Sequence, residues 1–130
     1  IRAAKEHPDS LLNRMVEENG GKADGRTAFQ AKNAGDETGA AVVERYVDLL
    51  AEGLANVINM LMPEVIAIGG GISHEGDSLL EPVRERALAR GFLATGVVKP
   101  RIVLAEMGND AGIVGAAMMA KGYLEDGLVG

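Results

Sequence analysis

The chain has 130 residues, and 13 lysines and arginines against 19 aspartates and glutamates give it a formal charge of −6 at pH 7. This length suits one domain or one lobe of a larger enzyme, and an apolar content of 47% argues against disorder. The acidic balance argues against a nucleic-acid-binding surface, the lack of cysteine excludes disulfides and thiolate metal sites, and no apolar stretch is long enough for a membrane span.

Glycine and the aromatic residues are unusual in number. The chain has 18 glycines, about twice the usual frequency of ~7%, and only two phenylalanines and two tyrosines. We therefore expect an aliphatic core with close approaches between small residues. Because the chain begins at Ile1 rather than at a methionine, we expect it to be part of a longer protein, and the lack of cysteine favours a cytoplasmic location.

The first helices are short. One helix is predicted within residues 1–21, where Asp9 or Ser10 is a suitable capping residue. Residues 22–26 form a polar connection, and a second helix begins near Thr27.

A long helix is predicted from about Asp36 to Met62, where Pro63 ends it. Its larger apolar residues recur at steps of three and four. They are Val43, Val47, Leu50, Leu54, Val57, Ile58 and Leu61. Gly53 costs about 1 kcal/mol relative to alanine inside a helix, so we expect another backbone or a ligand to pack closely against it.

The second half of the chain alternates strands and helices. Val65–Ile68 is a continuous apolar run, a helix follows over about Gly76–Ala89, and Arg101–Ala105 is a second apolar strand. Pro82 indicates a first turn or a break in the middle helix. A last helix begins at about Gly108.

Two apolar strands joined through a helix predict an adjacent parallel pair, covered on both faces. Two strands are too few for a stable sheet of this kind. We therefore expect further strands either from the rest of a longer protein or from oligomerisation.

Three glycines follow the first strand, at Gly69, Gly70 and Gly71, with Ile72 next. Glycines at the carboxyl end of a buried strand allow positive φ angles and let a ligand approach the backbone, which favours a nucleotide contact. The alternative is a tight turn that needs glycine only for its backbone angles. The spacing is not the dinucleotide fingerprint, because His74 stands where the third glycine belongs.

A second glycine-rich segment begins at Gly108-Asn109. Asn109 suits a helix N-cap, and the small residues Gly112, Ala116 and Ala120 make one smooth helix face for close helix packing. For Gly108 and Asn109, at the corner between loop and helix, a ligand contact and a packing role both stay open. His74 could contact a phosphate or a ribose, or be an ordinary surface residue. No spacing in the chain supports a catalytic triad, a carboxylate pair or a metal cluster.

In this order and about forty residues apart, these segments resemble those of the ROK family (repressors, open reading frames and kinases). Pro63–Ser73 is similar to the adenosine motif of the actin, hexokinase and Hsp70 superfold, and Gly108–Ala117 to its second connect motif. Gly53–Asn59 of the long helix is also similar to ROK sequences. The resemblance covers about Thr27 to Lys121. It implies part of an actin/hexokinase-like (ribonuclease H-like) ATPase domain of the α/β class, with short parallel strands flanked by helices.

Several family features have no counterpart here. ROK kinases have a phosphate loop of the Asp-x-Gly-Gly-Thr type, a cysteine-rich zinc loop and an upstream Asn-Asp that holds the catalytic base. This chain has no such loop, no cysteine, and Asn-Asp only at Asn109-Asp110. The chain therefore resembles the carboxyl-terminal part of the family, and none of its residues matches a catalytic position.

The resemblance implies a lobe of an ATP-dependent hexose kinase, most like bacterial glucokinase. Such an enzyme uses ATP with Mg²⁺, acts in glycolysis and forms homodimers. The positions that match nucleotide-binding motifs are Gly69, Gly70, Gly71, Ile72, Gly108 and Asn109. We expect the chain to supply one wall of the nucleotide site without being catalytic alone.

The expected organisation is a single lobe over residues 1–130. Residues 1–62 form its helical segment and residues 63–130 its βαβα unit. One alternative is the effector lobe of a ROK transcriptional repressor, which responds to a sugar. Another is a module that serves only oligomerisation.

Overall fold

The computed structural model describes residues 1–92, 98–107 and 110–125. In chain order the elements are α1 (Arg2–Glu6), α2 (Leu11–Glu18), α3 (Thr27–Asn33), α4 (Glu37–Leu61), β1 (Val65–Ile68), a 3-10 helix (Gly71–Glu75), α5 (Asp77–Arg90), β2 (Arg101–Leu104) and α6 (Ala111–Glu125). Helices flank a short sheet of parallel strands, as the sequence predicts for the α/β class.

The opening segment forms two helices rather than one. α1 ends at Glu6, and Pro8, which has no backbone N–H, lies between it and α2. Ser10, rather than Asp9, caps α2, because its hydroxyl oxygen accepts a hydrogen bond from the Asn13 N–H at 3.1 Å.

The Asp36 carboxylate serves two helices at once. Its Oδ2 accepts a hydrogen bond from the Gly39 N–H at 2.7 Å and so caps α4. Its Oδ1 accepts another from the Leu11 N–H at 3.0 Å, at the start of α2. One side chain thus fixes α2 against the first turn of α4.

The main core lies where α4 packs against α3 and α5, and it extends to β1 and β2 through Ile68 and Ile102. Its buried residues are Phe29, Val43, Val47, Ala51, Ile58, Ile68, Leu79, Leu80, Val83, Ala87 and Ile102. The predicted apolar face of α4 is correct at most positions but wrong at Leu61, which is 72% exposed, and at Val57, which is exposed as well. Of the last five residues of α4, only Ile58 is buried.

No backbone of the described chain supplies the close approach expected at Gly53, because no described heavy atom lies within 4 Å of the position of a Cβ there. The close approach is at Gly39, where α4 crosses α3. A small residue in a helix marks a close neighbour only if that face is turned toward another element, which periodicity alone does not reveal.

α5 runs through Pro82, its sixth residue, so the expectation of a first turn or a break was wrong. Proline at this position leaves the Ser78 carbonyl without its usual helical N–H partner. The buried side chains of Leu79, Val83 and Ala87 hold α5 on the core and offset that loss.

The parallel pairing of β1 with β2 is confirmed, with Val65 opposite Arg101 and Ile68 opposite Leu104. The covering on both faces is not found among the described residues. Ile68 is buried against the core, whereas Val65 is 45% exposed. The helices of the described chain cover one face of the sheet and leave the other open.

α6 begins at Ala111, close to the expected start of the last helix, but Gly108 and Asn109 lie outside the described residues. Residues 112–121 are exposed along the helix. None of the helices described is both long enough and apolar enough to cross a membrane.

Candidate functional site

The turn that follows β1 is built around Gly70. Gly70 has φ 85° and ψ −177°, a conformation that only glycine adopts readily. Its carbonyl oxygen accepts hydrogen bonds from the Ser73 N–H at 3.1 Å and from the Ser73 hydroxyl at 2.8 Å. Ser73 is buried, so these bonds hold the start of the 3-10 helix against the end of the strand.

Gly69 and Gly71 differ from Gly70, because neither has a positive φ angle. A Cβ at Gly69 would make an ordinary contact with the Ala105 Cβ at 3.5 Å. A Cβ at Gly71 would have no heavy atom of the described chain within 4 Å. The backbone of the turn thus requires glycine at Gly70, but neither backbone geometry nor a described neighbour requires it at Gly71.

Gly71 lies on the wall of a cavity of about 370 Å³, near the lower end of the roughly 300–1,000 Å³ range of small-ligand pockets. The residues that line it are Asp24, Gly25, Arg26, Gly71, Ile72 and His74. Two segments that are far apart in the sequence therefore meet at this cavity: the glycine turn with its 3-10 helix, and the turn before α3.

The turn before α3 is closed by reciprocal hydrogen bonds between Asp24 and Thr27. Asp24 Oδ1 accepts hydrogen bonds from the Thr27 hydroxyl, the Thr27 N–H and the Arg26 N–H, each at 2.9 Å. The Asp24 N–H donates to the Thr27 hydroxyl oxygen at 3.1 Å. The hydroxyl bond, followed by the two backbone bonds, lowers the pKa of Asp24, so its carboxyl group stays ionised at neutral pH.

Sequence reasoning missed this wall, because residues 22–26 were predicted to be only a polar connection. The local signal was an aspartate three residues before a threonine, a pattern typical of side-chain-capped turns. That pattern predicts a turn, but it does not reveal which distant segment the turn faces.

The structure brings together some of the predicted site residues. Gly71 and Ile72 line the cavity, and exposed His74 does so as well. Gly69 and Gly70 are exposed and form the turn beside it. The described parts of the chain hold no group of three His, Asp or Glu side chains that could bind a metal ion.

The family profile of ROK matches residues 9–123. The chain belongs to the ROK family. Glucokinase from Thermotoga maritima is 37% identical over 100 residues, which are 77% of this chain and 31% of that protein. N-acetyl-D-glucosamine kinase from Escherichia coli is 41% identical over 85 residues, 65% of this chain and 27% of that protein. The chain thus spans about a third or less of the length of these ROK relatives.

A solved structure of a ROK family glucokinase from Streptomyces griseus, in complex with glucose and AMPPNP, has a similar fold. The TM-score is 0.74 at 23% sequence identity, covering 91% of this chain and 38% of that one. This similarity confirms the expected actin/hexokinase-like fold.

Proposed function

We propose that this chain is the carboxyl-terminal part of an ATP-dependent hexose kinase and that it supplies one wall of the nucleotide site. Gly71 carries the proposal: it is a glycine that the described chain does not need for its backbone or its packing, and it lines a cavity beside the end of a parallel strand. A bound group outside the chain would explain why a side chain is absent there. The carboxyl ends of parallel strands are where α/β proteins bind such ligands.

The reaction would be phosphoryl transfer. A sugar hydroxyl oxygen attacks the γ-phosphorus of ATP, the bond to the β–γ bridging oxygen breaks, ADP leaves, and a base accepts the hydroxyl proton. In such chemistry the protein mainly positions the reactants and stabilises charge. This chain would position the nucleoside end of ATP through Gly69, Gly70, Gly71 and Ile72, and Gly108 and Asn109 stay part of the proposed site by their motif.

The described residues do not fit a resident metal ion, because they offer no cluster of carboxylates around the cavity. Mg²⁺ would arrive on the nucleotide phosphates, which need to be held elsewhere in the enzyme. We derive no step through the metal from this chain.

A kinase is favoured over a repressor lobe because the relatives described above have kinase names. Glucose is the proposed sugar, because one relative is a glucokinase. An N-acetylated hexosamine is the competing substrate, because another relative is an N-acetyl-D-glucosamine kinase. Phosphorylation of glucose would serve glycolysis in the cytoplasm.

We also propose a homodimer. An exposed, largely apolar stripe follows one face of α4 at steps of three and four residues, with Tyr46, Leu49, Gly53, Val57 and Met60 on it. Gly53 would allow a second copy of the helix to approach closely. Leu49→Glu should convert a dimer into a monomer in sedimentation experiments, whereas a wild-type chain that sediments as a monomer at all concentrations would reject this proposal.

A coupled assay with glucose and ATP tests the kinase proposal. The full-length protein that contains this chain should form ADP only when sugar is present, and N-acetylglucosamine tests the competing substrate. The isolated chain should give no turnover, because no residue matches the catalytic aspartate of the family. Turnover by the chain alone would overturn its assignment as a partial site, and no turnover by the full-length protein with either sugar would reject the kinase.

A further inference from the structure

The cavity beside Gly71 has a second wall, formed by Asp24, Gly25 and Arg26, which has no role in the proposed nucleotide site. Gly25 and Ile72 both line it, and a Cβ on Gly25 would be in van der Waals contact with Ile72 Cδ1, at 3.8 Å. Asp24 and Arg26 line the same side as Gly25. A ligand that touches Gly71 therefore meets the 24–27 turn as well.

The turn holds its backbone firmly while leaving the Arg26 side chain exposed. Five hydrogen bonds join Asp24 to Arg26 and Thr27, and Thr27 is buried. The Arg26 side chain is 58% exposed, and its Nε lies 4.0 Å from Asp24 Oδ2, a long ion pair. An arginine in this situation can place its planar guanidinium over a flat aromatic group at little cost.

We propose that Arg26 contacts the base of the nucleotide and that Asp24 is the positioning residue that holds the turn for this contact. The base would lie between the guanidinium and the surface formed by Gly71 and Ile72. This inference rests on the proposed nucleotide site and adds its second wall. The cavity volume suits a base with its sugar rather than a whole nucleoside triphosphate.

Amide NMR shifts of the isotope-labelled full-length protein that contains this chain test the proposal, since they detect weak binding residue by residue. The probes are adenosine, ATP and inorganic tripolyphosphate, which has the charge but no base. Adenosine and ATP should shift the amides of Gly25 and Arg26 together with those of Gly71 and Ile72. Tripolyphosphate should leave these four amides in place.

Substitutions sharpen the test. Arg26→Ala should weaken ATP binding about tenfold, as expected for a partly desolvated cation–π contact, and Arg26→Lys should recover part of the loss. Arg14→Ala, at an exposed arginine on α2, is the matched control and should have no effect. Asp24→Ala should weaken binding, whereas Asp24→Asn, which keeps an acceptor oxygen, should recover much of it. Melting temperatures without nucleotide separate these effects from unfolding.

The outcomes distinguish the two proposals. If ATP shifts the amides of Gly71 and Ile72 but not those of Gly25 and Arg26, the proposed contact between Arg26 and the base is wrong, and the proposed function stands. If no probe shifts either segment at millimolar concentration, both are wrong. If tripolyphosphate shifts the Arg26 amide and adenosine does not, Arg26 binds phosphate, and the proposed contact with the base is wrong.

Discussion

Gly39 of α4 lies so close to α3 that a Cβ on it would stand 2.7 Å from the Ala31 Cβ. The Lys32 backbone nitrogen would be 2.8 Å away. Neither neighbour is the end of a flexible side chain, so neither can move aside without shifting α3. The crossing of α3 and α4, which fixes the turn before α3, therefore depends on a glycine at this position.

Gly39→Ala should lower the free energy of unfolding by about 2 kcal/mol. Overpacking against a backbone costs about 3 kcal/mol, and the better helix propensity of alanine returns about 1 kcal/mol. Gly53→Ala is the matched control on the same helix. At concentrations too low for the proposed dimer, it should raise stability by about 1 kcal/mol, because no described heavy atom lies within 4 Å of its Cβ. Denaturant unfolding measures both. Equal effects of the two substitutions would contradict the close packing at Gly39.

An ionic cluster joins α4 to α5 and should make stability depend on pH. Asp48 Oδ1 accepts hydrogen bonds from Arg90 at 2.7 Å and from Arg86 at 2.9 Å. The Arg90 bond, with that of Arg86, lowers the pKa of Asp48 below its ordinary value of 3.8 despite some desolvation. A carboxyl group whose pKa is lowered by folding stabilises the native state above its unfolded pKa, and this is lost as pH falls through the folded value.

Asp48→Asn should therefore lower the melting temperature at pH 7, and its difference from the wild type should shrink as pH falls below 3.8. Glu52→Gln, at an exposed position on the same helix, should have little effect at any pH. Thermal melts of the three proteins between neutral pH and about pH 3 measure this. A deficit of Asp48→Asn that stays constant over that range would mean that the carboxylate charge contributes nothing.

Pro82→Ala should raise the melting temperature. Alanine restores the N–H that can donate to the Ser78 carbonyl, and a proline inside a helix costs about 3 kcal/mol. Glu85→Ala, at an exposed position in the same helix, controls for helix propensity. If the Pro82→Ala protein is no more stable than this control, the proline does not destabilise α5, and the prediction is wrong.

Strong local signals account for what could be predicted from the sequence. The apolar runs gave β1 and β2 nearly residue by residue, and Asp36 marked the start of α4. The glycine turn could be predicted because three consecutive glycines at the end of a strand favour a tight turn or a close ligand. These features depend on residues that are neighbours in the sequence.

The remaining features depend on contacts between distant segments. Nothing local indicates that Gly25 faces Ile72, 47 positions later, so half of the cavity could not be predicted. The same applies to glycines in helices: Gly39 and Gly53 look alike in the sequence, but only the packing shows which one has a neighbour. The structure also separates Gly70, which the turn needs, from Gly71, which it does not.

That separation identifies the most informative substitution. Gly70→Val would strain a backbone with φ 85°, so a loss of activity could come from misfolding. Gly71→Val carries no such strain, and its Cβ would have no heavy atom of the described chain within 4 Å. The valine side chain would enter the cavity that we propose for the nucleotide.

The most direct test measures the KM values of the full-length protein, as the proposed kinase, for ATP and for glucose, in the wild type and in Gly71→Val, with melting temperatures recorded without nucleotide. We expect the melting temperature and the KM for glucose to stay unchanged and the KM for ATP to rise at least about tenfold, equivalent to 1.4 kcal/mol of lost binding. A folded Gly71→Val enzyme with an unchanged KM for ATP would contradict the proposed nucleotide site.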